Sequence, residues 1–302
     1  MAKALFNEPR FTNDEAARQH LESIRWPDGP ICPHCGCFER ISKLNGKAHR
    51  AGLYFCGDCR TQFTVTVGTV FERSKIPLHK WVLATHLLCA SKKGMSSHQL
   101  HRMLGVTYKT AWFMTHRIRE AMKTAPSGFL GGHGKTVEAD ETFIGTKPGA
   151  KKRRAYGHKN AVFSLVERGG NVRSFHVENV TSKTLAPIIR EQVASHTHLM
   201  TDDAHPYIKV GREFYKHDSV NHTAKEYVRG KAHTNTIESF FSMFKRGIIG
   251  TYHHVGTQHL QRYMHEFDFR YNNRKVTDCE RAENALKGID GKRLTYRRIG
   301  AA

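Results

Sequence analysis

The chain has 302 residues, long enough for two or three domains with one substantial core. Hydrophobic residues make up 39% and aromatics 10%, a folded composition rather than a disordered one. Forty-eight Lys and Arg against 27 Asp and Glu give a formal net charge of +21, which predicts attraction to polyanions. No apolar run approaches the roughly 20 residues of a membrane span, and no basic amphipathic terminal helix or lipidation signal points to lipid. The first 25 residues are charged throughout and carry no secretory pattern, so a cytoplasmic nucleic-acid partner is the expectation.

In chain order, residues 13–24 read as a polar helix capped by Thr12 or Asn13, ended by the turn signal Trp26-Pro27-Asp28-Gly29-Pro30. Cys32-Pro33-His34-Cys35 and Cys56-Gly57-Asp58-Cys59 follow, with 20 residues between them. Each pair can offer two thiolates to one tetrahedral zinc, and four protein ligands make that zinc structural. His34 and Cys37 are near enough to substitute, although neither is needed. The rival reading, a redox dithiol, expects a single C-x-x-C beside a βαβ unit. Residues 63–67 alternate as a strand. Cys89 and Cys279 read as isolated thiols.

Residues 76–122 carry helical periodicity. Residues 96–104 and 107–122 form two helices joined at Gly105-Val106, with Leu100, Leu104, Val106, Ala111, Met114 and Ile118 in their seam. The pattern is that of a helix-turn-helix, and of any αα-hairpin; Lys109 and Arg117 on its second helix are candidate DNA contacts. Residues 125–135 are a Gly-rich linker.

The stretch VEADETFIG (137–145) is β-friendly yet holds Glu138, Asp140 and Glu141. Desolvated carboxylates need partners, and a divalent cation is one. Strand alternation groups Glu141 with the apolar Val137, Ala139 and Phe143 and puts Asp140 with Glu138 on the opposite face, making Asp140 the candidate ligand. The run Lys151-Lys152-Arg153-Arg154 leaves the end of this strand and is a candidate phosphate contact, or else a solvated loop. Residues 161–166 and 172–177 are strands of a hairpin turning at Arg168-Gly169-Gly170-Asn171. An amphipathic helix (182–195) and a short strand ending at Asp202-Asp203 come next. Residues 204–234 are rich in His and aromatics and show no clear period. Helices return at residue 235, with Ile237, Phe240, Phe241 and Phe244 as a stripe, and at 257–271.

Three strands, a helix, a strand and then helices, with acids on the first strand, the fourth strand and a late helix, are the arrangement of an RNase H-like nucleotidyl-transfer core. Together with the paired C-x-x-C, VEADETFIG, TDDAHPY and HTNTIESFFSMFKRGIIGTYHHV, the chain resembles a DDE transposase of a bacterial insertion sequence with an N-terminal zinc ribbon. The fold expected is multidomain α+β: an N-terminal helix and ribbon (1–75), a helix-turn-helix-like module (76–125) and an RNase H-like domain with a mixed sheet and C-terminal helices (133–302).

The resemblance implies Asp140, Asp202 and Glu238 as the catalytic acids, holding two Mg²⁺ or Mn²⁺, with 35 residues between the second and third. Asp203 stands where that pattern has Gly, which leaves Asp202 and Asp203 both open as the second acid. Each acid has a plainer reading: Asp140 as an N–H acceptor, Asp202 as a turn residue, and Glu238 as the last member of a capping box begun by Asn235. Lys245 and Arg246 are further candidate phosphate contacts. Implied partners are double-stranded DNA, as terminal inverted repeats and target, and a second copy of the chain on that DNA. A structure-selective nuclease and an inactive DNA-binding regulator share the same charge and ribbon.

Overall fold

The computed structural model describes residues 7–125, 127–151, 156–220, 228–230 and 232–295. The chain divides into two units, residues 1–123 with 276–302, and residues 124–275.

The first unit opens with α1 (Pro9–Thr12) and α2 (Asp14–Arg25). Asn13 caps α2, its side chain accepting from the Ala16 amide at 3.0 Å, and Asp14 and Glu15 complement the helix dipole. Strands β1 (Ile41–Lys43), β2 (Tyr54–Cys56) and β3 (Gln62–Phe63) form a small antiparallel sheet in that order. Buried Trp26 meets Tyr54 and Phe63 edge-on, at 5.4 and 5.8 Å between ring centroids. The strand expected over 63–67 stops at Phe63, because the Val67 amide turns back to the Thr64 carbonyl at 3.0 Å.

Helix α3 (Leu78–Ala90) precedes α4 (Ser97–Leu104) and α5 (Tyr108–Met122). Ser96 and Thr107 cap the last two, and Gly105 at φ +58° makes the left-handed turn between them. Leu100, Leu104, Ala111, Met114 and Ile118 are buried, as their spacing predicts.

The second unit is built on strands β4 (Thr136–Ile144), β5 (Asn160–Glu167) and β6 (Val172–Val177), then α6 (Ser182–Gln192), β7 (His198–Asp202), α7 (His205–Gly211) and β8 (Lys216–Val220). The short pair β9 (Val228–Arg229) and β10 (Ala232–His233) leads into α8 (Asn235–Gly247). A π-helical turn (Ile248–Tyr252) then precedes α9 (Leu260–Asn272). Sheet order is β6-β5-β4-β7-β8. The first three strands are antiparallel, while β7 runs parallel to β4 and β8 parallel to β7. This mixed sheet is the RNase H-like architecture.

Alternation along the central strands serves two cores. Val137, Ala139, Phe163 and Leu165 face α6 and α7, through Leu185, Ile189 and Tyr207. Ile144, Val162 and Val166 face α8 and α9, through Ile237, Phe240, Phe244 and Phe267. The unassigned 204–234 stretch therefore contains α7, β8, β9 and β10, interrupted by residues outside those described.

Helix α9 also covers an open sheet edge. Its Asn272 accepts from the Val172 amide at 2.7 Å and donates back to the Val172 carbonyl at 3.1 Å. Asp268 accepts from the Ser174 amide and hydroxyl at 2.8 and 2.6 Å, and Gln261 accepts from the His176 amide at 2.9 Å. Side chains thus take the place of a sixth strand, which removes the pairing hazard of an exposed edge.

The last helix, α10 (Asp278–Lys287), falls outside the unit expected over 133–302. It belongs to the first unit, where it packs against α3 and Arg281 donates to the Cys89 carbonyl at 3.3 Å. Its buried residues are few, two alanines (Ala282, Ala285) and Leu286, too weak a stripe to announce their partner in sequence.

Candidate active site

The four cysteines converge in the first unit. Cys32, Cys35, Cys56 and Cys59 bring their sulfurs within 4.8 Å of one another, and Cys32–Cys59 and Cys35–Cys56 are each 3.6 Å apart. Thiolates on a tetrahedral zinc at about 2.3 Å stand roughly 3.8 Å apart, so the cluster fits that ion and closes its coordination. A hydrogen bond with the Thr61 hydroxyl at 2.8 Å leads the causes that lower the Cys59 thiol to about 6, while, against a Cys37 amide bond that lowers it, burial and the neighbouring sulfurs push Cys35 up to about 12, a crowding of thiols that a metal would relieve. His34 is exposed and, with Cys37, stands outside the cluster.

In the second unit the parallel register pairs Glu138 with Met200, and the same offset two residues on brings Asp140 level with Asp202. Carboxylate oxygens of Asp140, Glu141 and Asp202 lie within 4.8 Å of one another. Asp140 accepts from the Glu141 amide at 2.7 Å, and Asp202 from the Ala204 amide at 3.1 Å, so each also serves the backbone role its plainer reading assigned. Asp203 is exposed and outside the group, leaving Asp202 as the acid that turns inward.

Glu238 projects from the first turn of α8, on the layer that packs against the Asp140 face of β4. Its carboxylate is exposed, accepts from the Thr234 hydroxyl at 3.0 Å, and is near enough to add to the negative field at Asp140. Asn235 is already the first helical residue and Thr234 the cap, with no side-chain cap bond. The capping-box explanation of Glu238 therefore fails.

Burial, and then the Glu141, Asp202 and Glu238 charges, push the Asp140 carboxyl up to about 8, against a bond from the Glu141 amide that lowers it. Burial likewise raises Glu141. Three half-buried hard oxygen ligands crowded until one holds its proton fit a divalent cation, which would relieve their repulsion. The sign is explicit. Between its ordinary value of 3.8 and about 8, the folded chain binds the Asp140 proton more tightly than the unfolded chain does. Stability without divalent cation at this site therefore falls as pH rises through that window, with the penalty complete above about 8. Thermal melts of the zinc-loaded protein at pH 5 to 9 should show that decline, and Asp140→Asn should flatten it.

The membership of Glu141 was missed in sequence. Alternation correctly sends it toward the α7 side, where the buried Tyr207 hydroxyl donates to its carboxylate. That side chain nonetheless reaches the ends of Asp140 and Asp202, past the point where β7 gives way to α7. Only knowledge that Tyr207 lies beneath it could have revealed this.

The candidate phosphate contacts divide. Arg117 requires correction. It is only 8% exposed, donates to the carbonyls of Leu294 and Glu72 at 3.2 Å each, and lies over the Phe113 ring at 4.8 Å, so it is a core brace rather than a groove contact. Lys109 is exposed on the first turn of α5, beside Tyr108, which stacks on His98 at 4.2 Å. Lys151, Lys245 and Arg246 are exposed. Lys245 joins Lys159, His253 and His254 around a cavity of about 180 Å³ at the end of β4. Lys152, Arg153 and Arg154 lie outside the described residues.

A cysteine ribbon in one unit and clustered acids on an RNase H-like sheet in the other define a class, the zinc-ribbon transposases. Residues 129–272 match the ISXO2-like transposase domain and residues 12–62 the transposase zinc-ribbon domain, so the chain carries both domains of such transposases. It is 29% identical over 279 residues to an uncharacterized protein in transposable element ISH50 of Halobacterium salinarum, covering 86% of this chain and 91% of that one. It is also 29% identical over 100 residues to a transposase-like protein of Haemophilus influenzae, covering 33% and 80%. Among solved structures it is similar to a chain of the simian T-cell lymphotropic virus intasome, at 15% identity and a TM-score of 0.26, covering 67% and 66%. A chain of a pre-cleavage Mos1 transpososome gives 12% identity and a TM-score of 0.19, covering 71% and 80%. Among the described residues no helix is long and apolar enough to cross a membrane.

Proposed function

We propose that this transposase binds the terminal inverted repeats of its element as a homodimer, cuts the DNA at their ends and joins those ends to target DNA. The observation that carries this reading is the group of Asp140, Glu141 and Asp202 oxygens within 4.8 Å, inside a transposase domain. Asp140, Asp202 and Glu238 are the catalytic acids. These carboxylates would hold two Mg²⁺ or Mn²⁺ ions, which when bound would help form the nucleophile at neutral pH and offset charge on the leaving oxygen.

The chain's own residues do the rest. The Glu141 amide fixes the Asp140 carboxylate, and the Ala204 amide fixes that of Asp202. Exposed Lys245 and Arg246, on the same helix as Glu238, hold the phosphate backbone beside the acids, and exposed Lys151 adds a further cation for it. Lys109 contributes from the helix-turn-helix-like module. In the first step water attacks the phosphorus at the element end, the P–O3′ bond breaks, and a 3′-hydroxyl and a 5′-phosphate result. In the second that 3′-hydroxyl attacks a target phosphodiester and displaces its 3′-oxygen, with no covalent enzyme intermediate.

The test is a labelled end fragment incubated with the protein and Mg²⁺, with a second duplex as target. Nicking at the repeat end and labelled joint molecules are the expected products. Nicking without joining would leave only a nuclease, and end binding without nicking in either Mg²⁺ or Mn²⁺ would leave a regulator.

A further inference from the structure

Glu138 stands two residues before Asp140 on the same face of β4, is wholly buried, and has no part in the chemistry above. Its carboxylate is fully engaged. One oxygen accepts from Arg168 Nε at 2.6 Å and from the Thr236 hydroxyl at 2.9 Å, with His233 Nδ1 at 3.4 Å. The other accepts from the Ile237 backbone amide at 2.9 Å. Arg168 is held in turn by the His233 carbonyl at 2.7 Å.

What this carboxylate grips is the start of α8. The first amides of a helix have no intrahelical acceptor, and Thr234 at the cap position makes no side-chain cap bond. Glu138 supplies from the sheet the acceptor and the negative charge that such a terminus favours. The residue after Ile237 is Glu238. Helix α8 therefore begins at a fixed height on β4, set by an acid that neighbours Asp140 on the strand. The Glu238 side chain is exposed, and its reach toward Asp140 depends on where that first turn sits.

We propose that Glu138 is the positioning residue for Glu238, holding the first turn of α8 on β4 so that the Glu238 carboxylate meets the cation bound by Asp140 and Asp202. This rests on the reading of Glu238 as a metal ligand. Glutamine in place of Glu138 keeps the shape but replaces one accepting oxygen with a donor, which must oppose Arg168, Thr236 or the Ile237 amide.

The experiment is a double-mutant cycle read by Mn²⁺ affinity, by calorimetry on the full zinc-loaded chain without DNA. Glu138→Gln is expected to weaken Mn²⁺ binding roughly tenfold, the scale of lost outer-shell support. In a Glu238→Gln background the same change should cost less than about twofold, because its target is already gone. Hydrogen exchange at the Ile237 amide should accelerate in both backgrounds. Should Glu138→Gln fail to fold, Thr236→Val, which removes one donor, takes its place with a smaller weakening and the same dependence on Glu238. Equal weakening in both backgrounds, or none in either, overturns the inference while leaving Glu238 a ligand. A Glu238→Gln protein with unchanged Mn²⁺ affinity instead overturns the ligand reading, and the inference with it.

Discussion

Asp140→Asn is expected to slow Mg²⁺-dependent cleavage of an end fragment by roughly a thousandfold or more, about 4 kcal/mol of transition-state stabilisation. Binding to the same fragment should stay within about twofold, since the phosphate contacts proposed above lie on exposed cations and the substitution removes none of them. Asparagine keeps the acceptor that meets the Glu141 amide, so the loss is one of charge and ligation rather than of local structure. Asp203→Asn is the matched control. That side chain is exposed and outside the acid group, so cleavage should match the parent protein. Single-turnover kinetics with enzyme in excess separates the two variants without interference from product release.

The second large effect is expected in the other unit. Cys56→Ser removes a wholly buried sulfur from the cysteine cluster. Small zinc modules draw on the order of 10–16 kcal/mol of apparent folding free energy from the metal, more than three short strands can replace. The ribbon should unfold, and the emission of Trp26 should shift to longer wavelength as it leaves Tyr54 and Phe63. Mn²⁺ binding at the acid group should persist, because residues 124–275 form a compact unit of their own. A variant that lost both together would show that the ribbon supports the catalytic unit directly.

How much was legible in the sequence depended on how local each signal is. The C-x-x-C pairs, a cap at Thr12 or Asn13, the two helices over 96–104 and 107–122, and the strand 172–177 are written within a few residues, and the structure keeps them, with Asn13 as the cap and with Ser96 and Thr107 as caps just outside their helices. Alternation put Asp140 with Glu138 on one face and the resemblance implied it as an acid; the structure turns that face toward α8. What stayed hidden needed tertiary partners. Arg117 looked like a groove contact because its helix face cannot be ranked without knowing that Glu72 and Leu294 present carbonyls to it. Glu138 looked like a third acid in a crowded strand. Its role depends on Arg168, 30 residues later, and on a helix start 99 residues away. The 204–234 stretch hid a helix of seven residues and strands of two to five, too short for any period to show.

The most direct measurement is anomalous scattering from crystals of the chain grown with Mn²⁺. The expected result is density within about 2.5 Å of carboxylate oxygens of Asp140 and Asp202, with Glu238 turned from Thr234 to complete the site. Mn²⁺ bound elsewhere, with Asp140 still pointing at unmetallated neighbours, would contradict the account.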